Sequence, residues 1–162
     1  MPRTATVPQR GVLASFATIR TLTNIFVGSV ALMFAMTATA DILGTTGINP
    51  NGLALDTAGN VYTANNGSSN VSKITPDGTS SIFATTGTDP AGIVLDAAGN
   101  VYTANSGSNN VSKITPDGTS SIILGTTGTG PAGIVLDAAG NLYTANSGSN
   151  NVSKITPDGT SS

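Results

Sequence analysis

The segment from Pro90 to Ser121, PAGIVLDAAGNVYTANSGSNNVSKITPDGTSS, recurs from Pro131 to Ser162 with one change, Val101 to Leu142, and from Pro50 to Ser81 with six. The units are spaced by 40 and then 41 residues. Self-similarity at this period belongs to chains whose units cannot bury an apolar face alone and therefore stack on one another, as propeller blades or solenoid turns.

Turn-forming stretches cut each unit in four. In the middle copy they are Pro90-Ala-Gly, Ala98-Gly-Asn, Asn105-Ser-Gly-Ser-Asn-Asn and Pro116-Asp-Gly, each with a backbone reason to turn. Between them lie Ile93–Leu95, Val101–Ala104, Val111–Thr115 and Ser121–Leu124. These runs are rich in β-branched and aromatic residues and too short for helices, so each unit reads as a four-stranded meander. The first run is apolar on both faces, as a strand sandwiched near an axis would be. The third carries Ser112 and Lys113 and is expected nearer the rim. A β-helix turn of roughly 20–30 residues is too short for this unit, and the leucine and asparagine spacing of leucine-rich repeats is missing. The expected fold is all-β: three four-stranded propeller blades, at about 50–85, 90–125 and 131–162, in a partial or open propeller after an N-terminal signal helix.

The motif Pro-x-Gly-[Ile/Leu]-[Val/Ala]-Leu-Asp-x-Ala-Gly-Asn-[Val/Leu]-Tyr-Thr-Ala-Asn resembles the NHL repeat and the bacterial propeller repeats of gluconolactonase-like and streptogramin-lyase-like proteins. The likeness covers nearly all of residues 41–162. It implies blades, but such folds carry hydrolases, lyases, adhesion modules and scaffolds alike. The resemblance also implies catalytic sets that this chain lacks. Gluconolactonase-like propellers hold a divalent metal with a set that includes Glu, and streptogramin-lyase-like ones use His and Glu. Neither residue type occurs here.

Residues 1–40 differ from the repeats. Arg3, Arg10 and Arg20 precede an uncharged run from Leu22 to Ala40, and Ala38-Thr-Ala40 offers the small residues of a signal-peptidase site. Cleavage before Asp41 is expected, with an uncleaved signal anchor as the alternative. The repeats are then exported, to the periplasm, the cell surface or the medium of a bacterial cell. Beyond residue 40 remain Lys73, Lys113 and Lys154 against eight Asp, so the charge is 3 − 8 = −5. With no basic cluster, nucleic acid is not an expected partner, and RNA binding of the kind some NHL proteins perform is disfavoured too. Cysteine is absent, which removes a lipoprotein anchor and disulfides alike.

In propeller topology the loop between strands two and three and the loop entering strand one share a face. That face would gather Asn105–Asn110 with Gly87–Pro90, repeated as Asn65–Asn70 and Asn146–Asn151. Its amide-rich residues, Asn65, Asn70, Asn105, Asn109, Asn110, Asn146, Asn150 and Asn151, are the candidate binding set, for a protein or a glycan. An ordinary solvated loop is the plainer reading. The Asn-x-Ser sequons at Asn66, Asn70, Asn110 and Asn151 recur because the repeat does, and stay bare in a bacterium.

Gly92 reads as a close approach of backbones near the axis, and Gly99 and Gly118 as positive-φ turn residues. Asp96-Ala-Ala-Gly-Asn offers one carboxylate where a calcium loop alternates several, so it reads as a capped hairpin turn. No cofactor or metal is expected. Without His or Cys, a base near neutral pH or a nucleophile–base pair would have to come from Asp, Lys and Tyr. Two functions remain: an exported non-catalytic module that binds or scaffolds, or a fragment of a lactonase- or lyase-like enzyme whose catalytic blades lie elsewhere.

Ile42-Leu-Gly-Thr-Thr-Gly47 repeats Ile123–Gly128, the segment that supplies a fourth strand and the link to the next blade. The third unit reaches Ser162 ahead of its own fourth strand. Self-association that closes the ring, two copies giving six blades, is therefore an expectation of the sequence, beside that of a piece of a larger propeller.

Overall fold

The computed structural model describes residues 42–162. The signal segment expected over residues 1–40 lies outside them. Among the described residues no helix is long and apolar enough to cross a membrane.

Blade 1 consists of β1 (Pro50–Leu55), β2 (Val61–Asn65), β3 (Asn70–Ile74) and β4 (Ser80–Thr85). Blade 2 repeats it as β5 (Pro90–Leu95), β6 (Val101–Asn105), β7 (Asn110–Ile114) and β8 (Ser120–Thr126). Blade 3 has β9 (Pro131–Leu136), β10 (Leu142–Asn146) and β11 (Asn151–Ile155). Each sheet is an antiparallel meander with strands in chain order. Ser161 and Ser162 start a fourth strand against blade 3, with Lys154 and Ser162 exchanging backbone hydrogen bonds of 2.8 and 2.9 Å. The all-β reading holds, and the three sheets form a partial propeller.

Neighbouring blades lie closest at β1, β5 and β9 and diverge toward β4 and β8. The first strands are thus innermost, and strand order runs outward as expected. At the inner strands the backbones nearly touch. A Cβ on Gly52 would stand 2.5 Å from the Ala91 carbonyl oxygen, and one on Gly92 2.6 Å from that of Ala132. Only glycine allows this contact without displacing a strand.

The alternation of side chains along each strand gives every blade two apolar faces. One cluster joins Tyr62, Ala64, Val71 and Ala84 of blade 1 to Ile93, Val101 and Ile114 of blade 2. A second joins Tyr102, Ala104 and Val111 of blade 2 to Ile134, Leu142 and Ile155 of blade 3. Nearly the same residues of the repeat make both interfaces, which is how one sequence can serve every blade.

Two expectations need adjusting. The strands begin earlier than the apolar runs: Pro90 pairs with Asn105, and a bulge between Pro90 and Gly92 absorbs the irregularity. The third strand is third from the axis, yet it is among the most buried, with Ser112 wholly covered. Its hydroxyl is buried because it holds the incoming linker.

Candidate binding face

Each linker between blades crosses the top of the next blade and is sewn to it by hydrogen bonds. The Gly87 amide donates to Ser112 Oγ (3.1 Å) and the Thr88 amide to Ser108 Oγ (3.0 Å). In return the Ser106 and Gly107 amides donate to the carbonyls of Asp89 and Thr88, at 3.0 and 3.1 Å. Blade 3 repeats the scheme with Gly128 to Ser153 and Thr129 to Ser149, both 2.9 Å. The structure therefore brings the expected loops together on one face, where they bond to each other.

The asparagines behind them do the same. Asn105 Nδ2 donates to Asn110 Oδ1 (2.7 Å) and to Ser112 Oγ (2.9 Å), and Thr103 Oγ1 donates to Asn105 Oδ1 (2.9 Å). Asn65 repeats this with Asn70 and Ser72, at 2.7 and 2.9 Å. The Asn146 amide lies 2.8 Å from Asn151 Oδ1 and 2.9 Å from Ser153 Oγ, whichever way its oxygen and nitrogen are turned. Asn65, Asn105, Asn110 and Asn146 are buried, Asn70 and Asn109 half-buried, and Asn150 and Asn151 exposed. Asn109 and Asn150 adopt left-handed backbone, φ 52° and 54°, which Asn tolerates better than most side chains. Asn109 Oδ1 also accepts from the Gly130 amide at 2.8 Å, tying blade 2 to the linker of blade 3.

The opposite face is built from two kinds of turn. Asp96 Oδ1 accepts from the amides of Ala98 and Asn100, both at 2.9 Å, and Oδ2 accepts from Asn100 Nδ2 (2.7 Å) and the Tyr102 hydroxyl (3.0 Å). Burial pushes this carboxyl up, and the four donors outweigh it, so it is held below the ordinary value. The Asn60 side chain does most to hold Asp56 low, and that of Asn141 does so for Asp137. Tyr102 is pushed up to about 12, by burial first and by Asp96 second. In the other turns Thr75, Thr115 and Thr156 donate to Asp77, Asp117 and Asp158, again lowering the carboxyls.

These carboxylates are acceptors inside turns, each with its own donors. The calcium-like loop at Asp96 is thereby the capped hairpin expected, with Gly99 at φ 82°. Among the described residues no three acidic, His or Cys side chains gather to hold a metal ion. A cleft of about 260 Å³ between blades 1 and 2 is lined by Leu55, Asp56, Leu95 and Asp96, whose carboxylates already serve their turns.

The polarity of the Asn loops was legible in the sequence, but their burial was not. The signal that could have shown it is the fixed offset of five and seven residues linking Asn65 to Asn70 and Ser72, kept in every copy. An amide, its acceptor and a hydroxyl at constant spacing on adjacent strands form a ladder.

No protein-family model and no curated protein matches this chain. Solved structures do. A streptogramin B lyase superposes with a TM-score of 0.59 at 22% identity, over 68% of this chain and 38% of its own. A catalytically inactive His-to-Ala variant of virginiamycin B lyase from Staphylococcus aureus, with quinupristin, gives 0.62 at 22% identity, over 72% of this chain and 40% of its own. The selenomethionine form of the Staphylococcus aureus lyase gives 0.59 at 19% identity, over 70% and 40%. The chain thus has the propeller fold of the streptogramin lyases and spans about two fifths of their length.

Proposed function

We propose that this chain is a non-catalytic propeller repeat module, exported to the bacterial periplasm or cell surface, whose loop face binds a protein or glycan. The observation that supports the reading is the fate of its polar groups. The sequence has no His, Glu or Cys, and its repeated Asp residues sit in turns with lowered carboxyls. A catalyst needs different groups converging from different elements, whereas these blades present one set three times. Asn109 and Asn150, in left-handed backbone on the loop face, are the first contacts in this reading.

A glycan array probed with the purified chain tests the reading. Binding to one saccharide class, lost on Asn109→Ala with Asn150→Ala while circular dichroism is unchanged, is the expected result. Cleavage of a streptogramin or a lactone by the purified chain would overturn it. Export predicts that the N-terminal residue of the secreted chain is Asp41; a chain recovered from the cytoplasm with Met1 intact would contradict it.

The similarity to the lyases supports a second reading, a fragment of a propeller enzyme. The groups that perform chemistry would then come from blades outside this sequence, and this chain alone would remain inert toward quinupristin.

A further inference from the structure

The two internal interfaces show what each face of a blade is made to meet, and one copy of each face has no blade against it among the described residues. On the face turned to the next blade, Val71 and Val111 are 0% exposed, while their counterpart Val152 in blade 3 is 66% exposed. On the face turned to the preceding blade, Ile93 and Ile134 are 9% exposed, while Leu53 in blade 1 is 66% exposed. Register and near-identical sequence are held constant across these comparisons, so the difference is the missing neighbour.

Gly133 carries the same message in the backbone. Its counterparts Gly52 and Gly92 make room for the carbonyl of the residue entering the next inner strand. A Cβ on Gly133 would meet only Ala145 of its own blade, at 3.9 Å. Blade 3 thus keeps a glycine for a close approach that nothing among the described residues makes. Beside it, hollows of about 300 and 330 Å³ are lined by Val135, Tyr143, Ala145 and Val152 and by Ala132 and Asn150.

The edge of β11 completes the pattern. In blade 2 the outer strand sets Gly125 opposite Val111 and Thr126 opposite Asn110. The segment Ile42–Gly47 has the sequence of Ile123–Gly128. It lies on blade 1 as that linker lies on blade 3, with Gly44 against Ile74 and Ser80 as Gly125 is against Ile155 and Ser161. The Thr45 and Gly47 amides donate to Ser80 Oγ and Ser72 Oγ, at 3.0 and 3.2 Å. Blade 1 therefore presents, already mounted on its open face, the strand that would pair with the outer edge of β11.

From this we infer that the occupant of both open faces is a second copy of this chain. Blade 3 of one copy receives blade 1 of the other in the geometry of the internal interfaces, with Gly133 facing the Asn51 carbonyl and Gly44 and Thr45 opposite Val152 and Asn151. Two copies joined at both ends make six blades, within the about 4–8 of closed propellers. The contact is head to tail, and closing it at two copies keeps it from running on as a filament.

Sedimentation of the full chain at micromolar concentration tests this, beside three variants whose secondary structure is checked by circular dichroism. The wild type should sediment at twice the mass of one chain. Gly133→Ala, Leu53→Asp and Val152→Asp, all at open positions, should each sediment as monomers with unchanged spectra. Mixing Leu53→Asp with Val152→Asp should restore a dimer, because one intact face of each kind remains. A monomeric wild type, or a dimer that survives Gly133→Ala, would overturn the proposal. A dimer broken by Val152→Asp and untouched by Leu53→Asp would overturn the head-to-tail arrangement.

Discussion

Asn105 has no exposed surface, and its amide joins β6 to β7 while Ser112 beside it holds the linker from blade 1. Asn105→Ala removes the donor for two buried acceptors and leaves the Thr103 hydroxyl without its acceptor. A loss of about 2–3 kcal/mol is expected in urea unfolding, and an effect below about 0.5 kcal/mol would show that the ladder is incidental. The aspartates make a second prediction at this scale. Their carboxyls lie below the ordinary 3.8 in the folded chain. The stability they contribute is therefore present above that value and is lost as pH falls through the lowered ones. Thermal midpoints should hold level from pH 7 to about 5 and fall below about 4. A midpoint that rises on acidification would contradict the turn hydrogen bonds. Tyr102 has the opposite sign: its contribution is complete below the ordinary 10.0 and disappears as pH rises toward about 12.

At the scale of strands, the pattern of turns located every strand, because Gly99 and Gly118 supply the left-handed backbone their hairpins need and the β-branched runs leave no alternative. Strand starts were less legible. Pro90 and Gly92 read as punctuation but lie within β5, since the bulge between them lets a turn former occupy a strand. The burial of Ser112 is not legible for a related reason: polarity suggests exposure until the chain that crosses it is known. Gly92, by contrast, is legible as a close approach, because a glycine entering an inner strand leaves room for the Ala132 carbonyl. The same substitution at three equivalent glycines measures that approach. Gly52→Ala and Gly92→Ala force a methyl group against a neighbouring carbonyl and should cost about 1–3 kcal/mol, whereas Gly133→Ala should stay within about 0.5 kcal/mol of wild type when both are compared at dilutions where the wild type is a single chain. Equal costs at all three positions would mean that the inner strands do not meet as described.

For the molecule as a whole, the central claim is that the copies are blades stabilised by what lies against their faces. Burying a Val or Leu side chain contributes roughly 1.5–3 kcal/mol, so a blade covered on both sides should open less often than the same sequence covered on one. Residues 101–114 and 142–155 differ only at Val101 and Leu142, which makes them each other's control. Blade 2 has neighbours on both faces and blade 3 on one. Hydrogen exchange followed by mass spectrometry separates the two peptides, and in the Gly133→Ala chain it reads the internal interfaces alone. Slower exchange by roughly tenfold or more over 101–114 than over 142–155 is the result this account predicts, and identical exchange of the two sequences would contradict it.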